Sequence, residues 1–468
     1  MSWTSNVCMP TRSTGSRLQR HKLKPITTAV LRRAVRALAA QVVKGAAREK
    51  RGTPPPHFVS RHRHFSWWSG ILVLSVIGGC SRGGDPRGSG AVERALIQPD
   101  FAIGLIDGDS AYLFGDVVSV AVDENGRIYV GDRIGALVRA YDNDGQYLAR
   151  IARAGEGPGE IYGWPADVTA GPSGRLYVRD GSRVTVFGSP NGNGVPDSVV
   201  AIWPLPGYGN LSSTRSRVGR SGEYYYPNYL FRDGELPRFF YLPFVEGQPT
   251  GDTLEVPPYP NLTGQRTASY RTGPGGGRLL QGLSHVPFAP LPVWDVTQTG
   301  TILSSTGAEY VLIETSIHGD TLRVINGPSS GLDEIAATER ADSARALDAR
   351  LDTLPVPIDE VSGLGPGVRD RQLPTTLPAV IAIHVAINGS IWVEMWPPEG
   401  QSDSRFFDVL DDEGRLLTRV ELRAPLTRDP PPFFGERYVV GVLRDPDTGV
   451  ERVVRFTIPS QPVTPVAK

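Results

Sequence analysis

Five polar residues in the middle of the chain could form a ligand-binding site. Each lies five or seven positions before a glycine of a predicted hairpin turn, so the side chains at both positions point to the same side of the strand before that turn. The candidates are Asp167, Arg215, Arg217, Asp295 and His384. If these strands surround a common axis, the side chains converge into a mixed-charge pocket suited to a small anionic or zwitterionic ligand. The alternative is a set of satisfied ion pairs that line a wet channel without further function.

Metal-dependent catalysis would need more ligands than this set supplies. Of seven histidines, four precede residue 65, and His384 alone of the other three lies on a strand that carries the candidates. A three-histidine metal centre is therefore not expected. A calcium site that uses Asp167 and Asp295 stays open, although two carboxylates need carbonyls and waters to complete an oxygen shell. The chain contains neither a serine nucleophile elbow nor a phosphate-binding loop sequence.

The elements that must position these residues are β-strands in repeated groups of four. Residues 117–159 alternate β-branched and polar residues around an Asn-Gly and an Asp-Gly turn signal, which predicts one four-stranded antiparallel sheet. Its first turn glycine recurs in matching frames, at Gly126, Gly174, Gly222, Gly300 and Gly389. Such a sheet exposes two faces and two edges, so it needs copies of itself in a ring to bury a core. Five full frames, and a sixth built from the last hairpin and a strand candidate at residues 93–106, predict six blades.

Three motifs of the first frame resemble a known family. Residues 122–132 follow Val-Asp-x-x-Gly-x-Ile-Tyr-Val-x-Asp, residues 140–145 follow Ala-Tyr-Asp-x-x-Gly, and residues 155–160 read Gly-Glu-Gly-Pro-Gly-Glu before Pro165. The chain is thereby similar to bacterial six-bladed β-propellers related to NHL repeats. The resemblance implies an all-β propeller of four-stranded antiparallel blades over residues 93–459. Related propellers include metal-dependent lactonases and a lyase, which implies an alternative function as a calcium-dependent hydrolase or lyase with its site in the central channel.

A helical insertion is predicted between blades four and five. Residues 330–354 are rich in Ala, Glu, Asp and Arg, with Ser330 as a candidate N-cap and Pro355 as the stop. The leucines of its narrow apolar stripe are Leu347, Leu351 and Leu354. We expect this helix to pack on a rim of the propeller, with partner binding as the alternative.

The N-terminal region is predicted to direct the protein to the cell envelope. Residues 59–80 join a short basic segment to an apolar run too short to span a bilayer, and end in Ile-Gly-Gly-Cys. They resemble a bacterial lipoprotein signal peptide, which implies that Cys80 becomes the lipidated first residue, anchored at the outer membrane facing the periplasm or outside the cell. An ordinary signal peptide with an incidental cysteine is the alternative. Residues 1–58 are interpreted as a basic extension, disordered or upstream of the true start, residues 81–92 as a flexible tether and residues 460–468 as a tail.

Charge and cysteine content exclude other functional classes. Residues 65–468 carry 48 acidic and 35 basic side chains, so nucleic acid is not an expected partner. The two cysteines, Cys8 and Cys80, lie outside the repeats, so the folded body has neither a disulfide framework nor a cysteine metal site. We therefore expect a monomeric module that binds a small ligand or an envelope protein, or acts as a scaffold. Catalysis is less favoured than binding. No cofactor is expected, and a bound calcium ion is left as an open alternative.

Overall fold

The structure, a computed structural model, describes most of the predicted propeller. The described residues are 94–190, 194–206, 209–210, 214–230, 238–257, 265–272, 278–285, 287–328, 333–352, 373–398 and 401–459. The basic extension, the signal peptide with Cys80, the tether, Ser330 and the tail lie outside them. The predicted fold class is confirmed: the described chain forms six small, mostly antiparallel sheets arranged as a six-bladed β-propeller.

Two short strands come before blade one in the chain. They are β1 (Arg94–Ile97) and β2 (Phe101–Ile103). Blade one contains β3 (Val117–Val122), β4 (Ile128–Asp132), β5 (Leu137–Tyr141), β6 (Tyr147–Ala154) and, parallel to β6, β7 (Glu160–Ile161). Blade two contains β8 (Asp167–Ala170), β9 (Leu176–Arg179), β10 (Arg183–Phe187) and β11 (Val199–Pro204). One-turn 3-10 helices lie at Ser110–Tyr112 and Pro172–Gly174. In both of these blades the first strand, β3 or β8, is the innermost strand.

Blade three departs most from the four-strand pattern. It contains β12 (Gly209–Asn210), β13 (Arg217–Val218), β14 (Tyr224–Leu230), β15 (Arg238–Val245), β16 (Gln248–Pro249) and β17 (Leu254–Glu255). A separate hairpin, β18 (Gln265–Thr272) and β19 (Arg278–His285), follows it. Blade four contains β20 (Val293–Val296), β21 (Ile302–Ser305), β22 (Val311–Thr315) and β23 (Thr321–Asn326). In blade three the innermost strand is β13, which is only two residues long.

The two N-terminal strands close the ring at blades five and six. Blade five contains β24 (Ala382–Val385), β25 (Ile391–Met395), β26 (Arg405–Leu410) and β27 (Leu416–Leu422), and blade six contains β28 (Phe433–Phe434), β29 (Tyr438–Arg444) and β30 (Glu451–Thr457). Strand β2 pairs antiparallel with β30 and becomes the outer strand of blade six, whereas β1 adds a parallel fifth strand to blade five beside β27. The single strand candidate at residues 93–106 is thus two strands, because Pro99 has no N–H to donate to a ladder.

The core consists of six apolar layers, one at each boundary between consecutive blades. At the boundary between blades two and three, for example, Tyr177 stacks on Tyr224 with ring centroids 5.4 Å apart. The layer that closes the ring joins blade six to blade one and contains Val440, Val120 and Ile103 of β2. The residues four and six positions before the turn glycines, such as Val120, Val168 and Ile383, lie in these layers between blades.

One α-helix, α1 (Ala337–Asp352), lies in the insertion between blades four and five. It begins later than predicted, because the chain before it pairs with the strand that leads back to blade five: Glu334 forms a bridge with Thr376, and the Leu377 N–H donates to Asp333 O. The side chains of the predicted leucine stripe lie outside the described residues. No helix within the described ranges has the length and apolar character needed to cross a bilayer.

Removing the two N-terminal strands one at a time should separate an accessory strand from the closing strand. A chain that begins at Pro99 lacks only β1, whereas a chain that begins at Gly104 also lacks Phe101 and the buried Ile103 of β2. We expect the second truncation to lower the free energy of unfolding by at least about 4 kcal/mol more than the first, because it empties an interblade layer. Urea unfolding of both chains measures the difference, and equal stabilities would contradict closure by β2.

Candidate functional site

Carboxylates on the innermost strands connect neighbouring blades. Asp295 on β20 accepts from the Arg217 Nε–H of blade three at 2.7 Å and from the Val385 N–H of blade five at 2.8 Å. Its Oδ1 also accepts from the Val296 N–H. One buried carboxylate thus satisfies donors of three consecutive blades, which is what a buried charge requires.

Asp167 makes the equivalent connection among blades one, two and three. Its Oδ1 accepts from the Ser119 hydroxyl at 2.9 Å, and its Oδ2 accepts from the Ser216 N–H at 2.6 Å. The Thr169 hydroxyl on the same strand donates to Oδ2 at 3.3 Å. Asp167 is buried and does not line the cavity described below. The structure therefore uses this candidate residue to hold blades together.

A cavity of about 290 Å³ lies where the innermost strands of blades three, four and five begin. It brings four of the five candidate residues together. The lining residues are Thr214, Arg215, Arg217, Tyr241, Pro292, Val293, Trp294, Asp295, Ile381, Ala382, Ile383, His384, Arg405, Arg428 and Pro431. Four of them are arginines and one is an aspartate, so the lining carries an excess of positive charge.

Arg215 lines this cavity without a carboxylate partner. Its Nη2 donates to the backbone oxygen of Pro431, on the segment that leads into blade six opposite. Among the described residues no carboxylate lies within salt-bridge distance of Arg215, and its buried Nε has no hydrogen-bond partner. Burial, reinforced by the neighbouring Arg217 cation, lowers the pKa of Arg215 to about 10. This guanidinium is a cation in a site that disfavours cations.

Arg217 differs because it has a counterion. Its Nε and Nη2 both donate to Asp295, which makes a bidentate pair. Burial alone would lower the pKa of Arg217, but the Asp295 carboxylate outweighs it and the pKa is raised. Arg217 and Asp295 are both among the candidates grouped from the sequence, and in the structure their side chains form this ion pair.

A second cationic cluster on blade five was missed by the sequence reasoning. Glu394 on β25 accepts from Arg405 Nε at 3.0 Å and from Arg428 Nη2 at 3.0 Å. Although burial of Glu394 would raise its pKa, Arg405 and the other donors lower it to about 2. Strand alternation could have indicated Glu394, because it pairs with Ala382 and so shares a blade face with His384. The two arginines come from an outer strand and a blade connection, which an alignment of innermost strands does not include.

His384 lies beside this second cluster. Its ring stacks on Phe434 at 4.4 Å between centroids, and its Nε2 lies 4.0 Å from Glu394 Oε2, beyond hydrogen-bond range. Within the described part of the chain, Nε2 has no hydrogen-bond partner. Burial lowers the pKa of His384, although Glu394 opposes that effect, so the imidazole is neutral at pH 7.

Within the described part of the chain, the carboxylates at the channel do not form a cluster of three possible metal ligands. Among the described residues, three possible ligands come close together in one place, at Asp411, Asp412 and Glu413 on the turn between β26 and β27. This turn is largely exposed, and acidic turns of this kind are common without an ion. The oxygens of Asp167 and Asp295 already accept hydrogen bonds from protein donors, so a cation there would have to displace them.

His384 should make stability depend on pH. Its pKa is lowered in the folded protein, so the unfolded chain binds more protons below the ordinary histidine value of about 6.5. The free energy of unfolding should then fall as the pH drops from 7.5 to 5.0, with His384 contributing up to about 1.4 kcal/mol per pH unit. The charged groups that act on the ring are Glu394, Arg405 and Asp295.

Urea unfolding across this pH range tests the expectation with a matched pair of variants. His384→Gln should reduce the slope, whereas His318→Gln, in the exposed turn between β22 and β23, should leave it unchanged. An unaltered slope in His384→Gln would contradict a buried neutral imidazole.

Comparisons with known proteins give likeness of fold alone. No protein-family model matches the chain, and no curated protein matches it in sequence. Virginiamycin B lyase from Staphylococcus aureus is 10% identical, with 77% of this chain and 99% of that chain covered and a TM-score of 0.35. A Bacteroides fragilis protein named as an exported protein is 9% identical, with coverages of 78% and 99% and a TM-score of 0.40. The calcium-binding protein regucalcin from Agrobacterium tumefaciens is 9% identical, with coverages of 79% and 99% and a TM-score of 0.34.

Proposed function

We propose that this protein is an envelope-located, lipid-anchored propeller that binds a small anionic ligand in the arginine-lined cavity. The observation that carries the proposal is the state of Arg215, a partly buried cation that lines the cavity beside a second cation without a carboxylate partner. Buried charges in proteins are normally paired, because an unpaired charge loses its hydration without compensation. A bound anion would supply the missing counterion.

The dimensions and chemistry of the cavity support a small ligand. Its volume of about 290 Å³ is at the lower end of ligand pockets. Apolar side chains such as Val293, Ile381 and Ile383 form part of the wall, and their low polarity strengthens the attraction between an anion and the arginines. A carboxylate bound there could accept two hydrogen bonds from one guanidinium.

The alternative function is a calcium-dependent hydrolase or lyase. It would draw on Asp167 and Asp295, whose oxygens already accept hydrogen bonds from the Ser216 and Val385 amides. A calcium ion would have to break these interblade bonds to obtain its oxygen ligands. The geometry therefore favours a binding module over this enzyme.

Anion binding should depend on Arg215. Thermal unfolding of the full-length chain in a panel of carboxylates and phosphate, at constant ionic strength, should reveal an anion that stabilises the parent by about 2.7 kcal/mol at a hundredfold excess over its dissociation constant. Arg215→Gln should abolish that gain without itself destabilising the protein, because it removes a partly buried cation that has no carboxylate partner among the described residues.

Arg415→Gln is the matched control for this experiment. Arg415 is an exposed arginine on the turn between β26 and β27 that pairs with Asp411 and is not part of the cavity lining. This variant should respond to the anion as the parent does. Failure of every anion to stabilise the parent, or an undiminished response in Arg215→Gln, would reject the proposed function.

Lipid anchoring should depend on Cys80. The sequence Ile-Gly-Gly-Cys at residues 77–80 supports acylation of this cysteine, and each buried methylene of the acyl chains adds about 0.8 kcal/mol to membrane binding. Expressed in bacteria with labelled palmitate, the parent and Cys8→Ala should incorporate label and sediment with membranes, whereas Cys80→Ala should do neither. Equal labelling of all three chains would contradict the anchor.

A further inference from the structure

The charged residues around the cavity form two clusters, each with two arginines and one carboxylate. The first cluster contains Arg215 and Arg217 with Asp295, on blades three and four. The second contains Arg405 and Arg428 with Glu394, on blade five and the segment that follows it. Each cluster therefore has one more cation than anion, and the arginines of both clusters line the same cavity.

Each of the two clusters also has a buried nitrogen near it that lacks a hydrogen-bond partner among the described residues. At the first cluster it is Nε of Arg215, and beside the second cluster it is Nε2 of His384. Unpaired buried nitrogens are uncommon in native structures, because each forfeits the hydrogen bonds it makes to water. Two of them at two cationic clusters point to two separate anionic groups on one ligand.

The same cavity lining also includes apolar side chains. Val293 precedes Asp295 on β20, and Ile381 and Ile383 both precede His384, Ile381 directly before β24 and Ile383 on it. This part of the lining offers few partners to a polar group, so the middle of a ligand that spans both clusters should be a hydrocarbon chain.

Asp167 does not remove the need for an anion at the first cluster. Its charge attracts Arg215, but it lies outside the cavity lining, and its oxygens accept from Ser119 and Ser216. At the second cluster, Glu394 is already shared by both arginines. Neither protein carboxylate is therefore free to serve the unpaired nitrogens.

From this arrangement we propose that the ligand is a short dicarboxylate with an apolar spacer. One carboxylate binds at Arg215, and the other binds where Arg428 and His384 line the cavity. The inference rests on the proposed function and specifies its ligand class. A single-headed anion such as phosphate would satisfy one cluster and leave the other uncompensated.

Isothermal titration of the full-length chain with two matched series of acids tests the proposal. The dicarboxylates run from malonate to adipate, and the monocarboxylates have the same numbers of carbons; inorganic phosphate is the single-headed dianion. We expect one dicarboxylate length to bind best, at least about tenfold more tightly than its matched monocarboxylate, because a hydrogen bond to a charged group contributes that much.

Substitutions at the two clusters provide a second test of the proposal. Arg215→Gln and Arg428→Gln should each reduce the ratio of dicarboxylate to monocarboxylate affinity to about one, and His384→Gln should lower the same ratio, whereas Arg415→Gln should keep it. Arg428 is an exposed side chain, so its variant is expected to fold even if a change at Arg215 is not tolerated.

The outcomes separate this inference from the proposed function. Equal affinities for the two series at every length, or phosphate binding as tight as the best dicarboxylate, would overturn the dicarboxylate inference and leave an anion-binding propeller. If neither series nor phosphate binds, both proposals fail.

Discussion

The structure depends on buried carboxylates that accept hydrogen bonds from neighbouring blades. A propeller brings several innermost strands to one axis, where their donors are withdrawn from water and need partners. Asp167 connects blades one to three, and Asp295 connects blades three to five. Glu451 of blade six accepts from the Val117 N–H and from Arg444, across the boundary at which the ring closes. Apolar layers hold the blades face to face, and these carboxylates fix their alignment at the axis.

The same carboxylates explain how an acidic part of the chain can form a cationic cavity. Residues 65–468 carry more acidic than basic side chains, yet the acids at the channel are committed to the blades around it. Asp295 uses one oxygen on the backbone of blade five, and Glu394 is divided between two arginines. Arg215 is left with a carbonyl as its partner. The affinity for anions thus depends on which arginines at the cavity have a carboxylate partner. The net charge of the chain does not predict it.

The sequence predicts the blades well because a blade is a local structure. A turn glycine, strand alternation and a regular spacing are enough to find the innermost strands, and they bring Arg215, Arg217, Asp295 and His384 to one cavity as expected. The same alignment groups Asp167 with them, but its carboxylate turns to donors of the adjoining blades and lies outside the lining. Arg405 and Arg428 could not be found in this way, since they come from the third strand of blade five and from the segment that follows this blade. Glu394 could have been found, because it pairs with Ala382 on the innermost strand. The split of residues 93–106 into two strands in two blades depends on closure.

Diffraction from crystals of the protein grown in bromide would test the account most directly, because bromide scatters anomalously and reports where an anion binds. If Arg215 forms an anion site, a bromide should lie within hydrogen-bond distance of Arg215 in the cavity, with the Asp295 and Asp167 connections between blades intact. Bromide bound elsewhere on the surface, with none in the cavity, would contradict an anion site at Arg215. A carboxylate of the protein found paired with Arg215 would contradict it equally, because the cavity would then have no cation to offer.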